Sequence, residues 1–167
     1  MNYLVIVLRL LHIVGGVYWV GSSIILTFFI TPSVEATAQA GQKFLAHLVT
    51  QGKITLRITA SAVLTVLAGG WLYWIDSGGL TSGWTHSAAG WGFGIGGLLG
   101  VIGLILGAWV GKIVGVLGRL ASHLQGKPAP EQMSEIQAAQ KQLKVVAPLS
   151  AFVLILALAC MATARYW

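Results

Sequence analysis

The stretch YLVIVLRLLHIVGGVYWVGSSIILTFFI, residues 3–30, decides the fold. It holds one arginine, Arg9, and one histidine, His12, and none of its other residues is charged. A helix needs about 20 mainly apolar residues to cross a bilayer; this run is longer, and it is too long for the apolar core of a cleaved signal peptide. The stretch therefore predicts a membrane-spanning helix with an imidazole inside it.

The composition places the whole chain in the membrane class. Hydrophobic residues make up 56% of the 167 residues, charged residues make up 8%, and the mean hydropathy is +0.83, whereas about a quarter of the residues in soluble domains are charged. Apolar stretches long enough to span a bilayer lie at residues 3–30, 54–75, 88–117 and 145–166. With short links between them, they predict a single all-α transmembrane domain over residues 1–167, an integral membrane four-helix antiparallel bundle.

The basic residues predict the orientation of the bundle. Those in or beside the links at 31–53 and 112–144 are Lys43, Lys53, Arg57, Lys112, Arg119, Lys127, Lys141 and Lys144. The opposite side has only Arg9 and Arg165. By the positive-inside rule, both links are cytoplasmic and both termini lie outside, in a multi-pass protein of the inner (cytoplasmic) membrane. Because the net charge of +6 lies on helix flanks, it predicts contact with the lipid bilayer and no nucleic-acid partner.

Both basic links are expected to contain short interfacial helices. The Thr31-Pro32-Ser33 sequence predicts a helix stop followed by a restart, with Ser33 as the N-cap of a surface helix. The segment 127–130, which holds two prolines, breaks the chain again. Residues 133–143 then repeat apolar positions at helical spacing up to the fourth span, which predicts a further helix there.

Two stripes of residues spaced by four predict the packing faces. In the third span, one series comprises Gly92, Gly96 and Gly100, and the next comprises Gly103, Gly107, Gly111 and Gly115. In the second span, the stripe comprises Arg57, Ser61, Thr65, Gly69 and Tyr73. Small residues let a neighbouring backbone approach closely, so the glycine face is predicted to pack against another helix. The polar stripe is predicted to point inward, with Ser61 and Thr65 bonding back to their own helix.

An imidazole inside a membrane-spanning helix needs a polar partner. Either His12 hydrogen-bonds to a neighbouring helix, or it is a ligand in a cofactor site. In the cofactor interpretation, His12 and His86 share the outer half of the bundle and take the axial positions of a haem b iron, while Arg9 and Arg165 pair with the propionates. Met161 is the alternative second ligand, because haem is also held by His and Met. The prediction is a membrane b-type haem protein that supports electron transfer near the outer leaflet.

Parts of the chain resemble a known family. The runs Leu10-Leu11-His12-Ile13-Val14 and Tyr18-Trp19-Val20-Gly21, with the C-terminal run 161–167, are similar to the small four-helix membrane proteins of the CopD and HemJ type. In that group a histidine of the first helix is a proposed haem or copper ligand, which corresponds to His12. The HemJ pattern has a lysine early in the third helix, and this chain has His86 and no lysine there. HemJ-like proteins are linked to protoporphyrinogen oxidation, and the difference at this position argues against that activity here. The resemblance therefore implies haem binding rather than protoporphyrinogen oxidation.

Two other functions are compatible with the sequence. CopD-like copper handling would use soft donors such as Cys160 and Met161, with copper as the cofactor. A non-catalytic structural subunit of a larger membrane complex, or of a homo-oligomer, would use the glycine faces for packing alone. The sequence has no paired carboxylates, nucleophile elbow or phosphate-binding loop, so it gives no support to hydrolytic or nucleotide-dependent catalysis. The enzyme class that it leaves open is a membrane oxidoreductase.

Overall fold

The computed structural model describes residues 3–123 and 129–167, except for the side chains of residues 121–123. Its helices are α1 (Tyr3–Ile25), α2 (Thr31–Ala36), α3 (Ala38–Thr50), α4 (Ile54–Asp76), α5 (Ala88–His123) and α6 (Pro130–Thr163). A π-helical turn, Leu26–Ile30, joins α1 to α2, and short 3-10 turns lie at Gly83–His86 and Ala164–Tyr166. The described residues contain no β-strand, and the all-α prediction is confirmed.

Several helical stretches are long and apolar enough to cross a membrane. They are Tyr3–Ala36, Ile54–Asp76, Ala88–Leu120 and Pro130–Tyr166. Large apolar side chains cover their outward faces: Leu10, Leu67, Ile105 and Phe152 are each more than half exposed. Apolar surface of this extent is not left in contact with water in a soluble monomer. The chain is therefore a multi-pass membrane protein whose apolar surface the bilayer covers, as predicted.

Neighbouring helices in the bundle run antiparallel. His12 of α1 contacts Gly69 of α4, and Gly15 accepts a hydrogen bond from Ser61, so residue numbers rise along one helix as they fall along the other. The same pattern joins α5 to α6 and to the 3-10 turn that follows it, through the pairs Gly92–Ala164, Gly96–Met161 and Gly103–Leu154. The prediction that the third span packs through its glycines is confirmed at these three positions.

The bundle has two faces at its helix ends. The terminal face carries Tyr3, the loop 77–87 and Tyr166, while the basic face carries the link 37–53, the end of α5 and the start of α6. The basic residues of the links lie on the basic face, apart from Lys127, which lies outside the described residues.

The first spanning helix does not stop at Pro32, so that prediction is wrong. Helix continues from Tyr3 to Ala36, and the π turn lies directly before the proline. There the backbone N–H of Thr31 donates to the carbonyl of Leu26, five residues back, and the Thr31 hydroxyl donates to the same oxygen at 2.8 Å. Proline lacks an N–H and its ring crowds the carbonyl four residues earlier. The π turn shifts the preceding carbonyls out of α-helical register, which accommodates the ring.

The predicted surface helix exists as α3, but Ser33 does not cap it. Because Ser33 lies inside α2, its hydroxyl donates to the carbonyl of Phe29 at 2.7 Å, the usual bond of a serine within a helix. The chain turns instead at Ala38, whose φ is +46°. A left-handed residue at this point ends α2 and sets the new direction of α3.

The fourth span and the helix predicted before it form one helix, α6. It begins with Pro130 at a first-turn position, where the missing N–H is tolerated. The side-chain oxygen of Gln132 accepts a hydrogen bond from the amide of Ala129 at 3.1 Å. No glycine or proline separates Leu143 from Val145, so nothing breaks the helix between the two predicted segments. The predicted break at residues 127 and 128 lies outside the described residues.

Trp19 lies at the centre of the bundle. It is 3% exposed and packs against Ala62 of α4 and Leu154 of α6. A Cβ atom on Gly103 of α5 would lie 3.8 Å from its indole ring. This one side chain therefore links the first span to each of the other three. A second apolar cluster lies nearer the basic face and consists of Ile113, Leu143 and Ala147.

Candidate functional site

His12 is held by the backbone of α4. Its Nδ1 atom lies 2.8 Å from the carbonyl oxygen of Thr65. A carbonyl oxygen only accepts hydrogen bonds, so Nδ1 carries the proton and donates. The interpretation in which His12 hydrogen-bonds to a neighbouring helix is confirmed, and the bond fixes the tautomer of the neutral ring.

Gly69 makes room for this ring. A Cβ atom at position 69 would lie 2.6 Å from His12 Cε1 and 2.7 Å from His12 Nδ1, closer than non-bonded atoms approach. The Cε1–Nδ1 edge of the imidazole therefore packs against the backbone of α4, where any larger residue would displace it. Sequence reasoning placed Gly69 in the polar stripe without linking it to His12. The spacing by four from Thr65 to Gly69 is the signal that could have paired them, because both positions lie on one helix face.

The Nε2 atom of His12 has no hydrogen-bond partner within residues 3–123 and 129–167. Within the same residues, every fully enclosed side-chain nitrogen or oxygen of a buried or half-buried residue has a hydrogen-bond partner. Because Nε2 has no such partner, it is not fully enclosed by protein. With Nδ1 protonated, Nε2 of the neutral ring carries a free lone pair. Metal-binding histidines have this arrangement, in which one nitrogen donates to a carbonyl and the other binds the metal.

Ser61 and Thr65 complete the contact between α1 and α4. The Ser61 hydroxyl donates to the carbonyl of Gly15 at 2.8 Å, across the helix pair, so the prediction that it bonds to its own helix is wrong. The close approach of Gly15, which has no side chain, brings its carbonyl within reach of Ser61. The Thr65 hydroxyl does bond within its helix, to the carbonyl of Ser61 at 2.8 Å. These bonds hold the two helices in the register that places His12 over Gly69.

His86 lies at the end of the 3-10 turn Gly83–His86 and is exposed. The turn is anchored by Trp84, whose ring centroid lies 5.3 Å from that of Tyr73 and 6.3 Å from that of Phe93. Among the described residues, no hydrogen bond or ring contact joins His86 to His12. The structure places His86 on the terminal face and does not bring the two imidazoles into contact.

Met161 belongs to a different helix pair. It is half-buried between α6 and α5, and a Cβ atom on Gly96 would lie 2.7 Å from its Cγ. His12 instead lies between α1 and α4. The structure therefore gives Met161 the packing role that a thioether commonly has and does not place it beside His12.

The two arginines predicted to bind propionates are exposed near the terminal face. Arg9 precedes His12 by three residues, about one helical turn toward that face. Arg165 lies in the 3-10 turn that follows α6. Neither has an ion pair or hydrogen bond within the described part of the chain, so both guanidinium groups are available to an anion.

Other metal donors are sparse. Among the candidate spans found in the described residues, the one that contains a histidine is Tyr3–Ala36, which holds His12. Cys160 is a free, half-buried thiol in α6. Outside residues 1, 2 and 121–128, no group of three or more His, Cys, Asp or Glu side chains is close enough to hold a metal ion.

A cavity of about 130 Å³ lies in the other half of the bundle, between Trp19 and the basic face. All four candidate spans and α3 contribute to its walls. Glu35 lies at its basic end, where its carboxylate pairs with the ammonium of Lys144 at 3.3 Å. Trp19 is both a packing residue of the core and a wall of this cavity. No sequence pattern indicated the cavity itself, because its walls come from distant segments.

The fold defines the class of the chain, a multi-pass helical membrane protein, and comparisons with known proteins do not narrow it further. No protein-family profile matches it, and no curated protein or solved structure is significantly similar to it.

Proposed function

We propose that the protein is a membrane b-type haem protein that supports electron transfer, with His12 as an axial ligand through Nε2. The hydrogen bond from His12 Nδ1 to the Thr65 carbonyl carries the proposal, because it leaves the other ring nitrogen free to bind iron. A bound haem supplies one-electron transfer between ferrous and ferric iron. The chain fixes the ring orientation through Thr65 and Gly69.

The donor set of this chain fits one axial position. Neutral imidazole nitrogen is the commonest proximal ligand of haem iron. The bond to Thr65 satisfies Nδ1 alone, so the second ring nitrogen still lacks a polar partner in the membrane span. His86 and Met161 are proposed as alternative second ligands, and neither contacts His12 in the structure. A six-coordinate low-spin spectrum would support a second protein ligand. A high-spin spectrum would support His12 alone.

Arg9 and Arg165 are proposed to pair with the haem propionates. Charge-assisted bonds from guanidinium to carboxylate are among the stronger polar contacts available at a membrane edge. We further propose that the protein resides in the inner membrane with the terminal face outside, because the basic links match the cytoplasmic side by the positive-inside rule. The haem would then lie toward the outer leaflet.

The test is the absorption spectrum of the purified protein, oxidised and then reduced with dithionite. The parent is expected to show a Soret band and, on reduction, the α and β bands of a b-type haem. His12→Ala should lose the Soret band while still inserting, because the apolar run remains long enough to span. His47→Ala is the matched control, since His47 is exposed in α3 outside any candidate span.

Two results would overturn the proposal. One is a parent protein that contains no haem after expression with adequate haem supply, which would favour the structural-subunit function. The other is an unchanged spectrum in His12→Ala. Copper in the parent, measured by elemental analysis and lost in His12→Ala, would favour copper handling instead.

A further inference from the structure

Two of the polar side chains that line the cavity between Trp19 and the basic face belong to almost fully buried residues and have no hydrogen-bond partner among the described residues. Trp19 is 3% exposed and Ser150 is 4% exposed, and both line the cavity. Neither the indole Nε1–H of Trp19 nor the hydroxyl of Ser150 has a hydrogen bond to any described residue. Both residues are more than nine-tenths buried, yet neither polar atom is fully enclosed by protein. Each atom therefore keeps some exposed surface, and the cavity is the space that both residues line.

Unpartnered donors in an apolar site are unfavourable unless something binds them. Indole N–H can only donate, and the serine hydroxyl can donate to the same acceptor. The cavity volume of about 130 Å³ is about ten times the minimum that holds one water, so a small ring also fits. The site therefore calls for a ligand with an acceptor atom.

The charges around the cavity define that acceptor. Glu35 is the one charged side chain that lines the cavity within the described residues, and no lysine or arginine lines it. Glu35 is already paired with Lys144, which does not line the cavity, so a carboxylate or phosphate would enter without a free cationic partner. The acceptor is therefore uncharged, and a carbonyl oxygen is the strongest uncharged acceptor that apolar molecules commonly carry.

The cavity also opens sideways. Thr59 of α4 and Ala108 of α5 both line it, and both are exposed on the outer surface of their adjacent helices. That surface lies within the candidate membrane spans. A ligand that enters between these helices comes from the hydrocarbon region, so it dissolves in the bilayer.

We propose that this cavity binds the ring of a membrane-soluble quinone, with Trp19 and Ser150 donating to one quinone carbonyl. The isoprenoid tail leaves through the opening beside Thr59 and Ala108. Quinone binding at this second site does not depend on the haem proposed at His12, two helical turns from Trp19 along α1.

The test measures binding of a ubiquinone analogue with a ten-carbon tail to the lipid-depleted protein in detergent, by titration calorimetry against empty micelles. Saturable binding is expected. Ser150→Ala and Trp19→Phe should each weaken it roughly fivefold, the effect of losing one hydrogen bond in an apolar site. The matched controls are Trp109→Phe and Ser134→Ala, both exposed residues that do not line the cavity. Their affinities should equal that of the parent.

A third variant, Gly107→Leu, fills the cavity without removing a buried side chain. Gly107 lines the cavity, and a Cβ atom there would lie 3.8 Å from Trp19 Nε1, an ordinary contact. Gly107→Leu should therefore preserve the bundle while filling the site and abolishing binding. Gly97→Leu is its control, because position 97 opens onto free space. Equal binding by both leucine variants would overturn the assignment of the site.

Two further ligands test whether binding needs a carbonyl and whether a quinone or a lipid supplies it. An alkylbenzene with the same tail and no carbonyls should bind at least about tenfold more weakly than the quinone, since it offers no acceptor. If it binds equally, or if no quinone binds, the proposal is overturned. A short-chain diacylglycerol supplies neutral ester carbonyls; binding as tight as that of the quinone, with competition, would assign the site to lipid instead.

His12→Ala and Ser150→Ala test whether haem binding and quinone binding are independent. His12→Ala should bind the quinone analogue as the parent does, whether or not it retains a Soret band. Conversely, Ser150→Ala should leave the haem spectrum unchanged. A failure of quinone binding is thus distinguishable from a failure of haem binding.

Discussion

The Nδ1 atom of His12 lies 2.8 Å from the carbonyl oxygen of Thr65. In an α-helix, that same oxygen accepts the amide N–H of the residue four positions on, which is Gly69. The imidazole therefore bonds to the helix backbone beside Gly69, which has no side chain, rather than to a side chain. This makes Gly69, and not the threonine hydroxyl, the residue that decides the position of the ring.

Replacing Gly69 is expected to displace the candidate ligand. In Gly69→Ala, the new Cβ would lie 2.6 Å from His12 Cε1, so the ring must move and its bond to Thr65 weakens. We expect haem occupancy to fall severalfold while the protein still inserts, measured as the ratio of Soret to protein absorbance. Gly70→Ala is the control, because no atom lies within 4 Å of a Cβ at that position. Equal occupancy in both variants would contradict a role for Gly69.

The contact between α5 and α6 depends on Gly92. A Cβ atom there would lie 2.8 Å from the Cβ and 2.9 Å from the Cα of Ala164, and a backbone atom cannot rotate away. Gly92→Ala should lower the free energy of unfolding by about 1–3 kcal/mol through overpacking. Gly100→Ala, on the same helix with open space at its Cβ position, should change it by less than about 1 kcal/mol. Reversible unfolding in mixed detergent micelles measures both, and similar losses would contradict the packing argument.

These glycines show what spacing alone reveals. The repeat every four residues in the third span predicted a packing face, and Gly92 and Gly96 lie on it. The contact then passes to Gly103 rather than Gly100, because a helix has 3.6 residues per turn and a strict four-residue series drifts off the interface. The face and its second series, which begins at Gly103, were predictable from sequence, whereas the open space beside Gly100 was not.

The candidate site, likewise, was predictable from the sequence only in part. Sequence predicted that His12 needs a partner and that it lies in the half of the bundle that holds the termini. It could not pair His12 with His86, because depth along a helix says nothing about the direction in which a side chain points. The partner found, a backbone carbonyl of Thr65, has no residue-type signal. The first spanning helix continues past Pro32 because of a π turn, which the residue composition does not predict.

Ser61 provides a polar link between α1 and α4. Its hydroxyl donates to the carbonyl of Gly15 at 2.8 Å, and hydrogen bonds between membrane helices contribute about 0.6 kcal/mol on average. Ser61→Ala should therefore destabilise the protein by about 0.5–1 kcal/mol in the same unfolding assay. Ser23→Ala is the comparison, because the Ser23 hydroxyl bonds only to Trp19 of its own helix. A loss in Ser23→Ala as large as that in Ser61→Ala would show that the link across the helices contributes nothing particular.

The orientation can be tested at the C-terminus. The basic links and the terminal face lie at opposite ends of the antiparallel bundle, and the positive-inside rule places the links in the cytoplasm. An alkaline phosphatase fused after Trp167, which is active only outside the cytoplasm, should be active. A green fluorescent protein fused at the same point through the general secretion route should be dark. The reverse pattern would invert the orientation and move His12 to the cytoplasmic half.

Variants of Arg9 and Arg165 test whether these side chains bind haem propionates or only anchor helix ends at the membrane surface. If Arg9 and Arg165 neutralise propionates, Arg9→Gln and Arg165→Gln should each lower haem retention and make the midpoint potential more negative, on the order of tens of mV. The sign follows because removing positive charge near the iron stabilises the ferric state relative to the ferrous state. Arg57→Gln is the control, since Arg57 is exposed near the start of α4 on the basic face. A redox titration of each variant against the parent decides the matter: full occupancy with unchanged midpoints would leave both arginines as interfacial anchors whose charges simply reach the membrane surface.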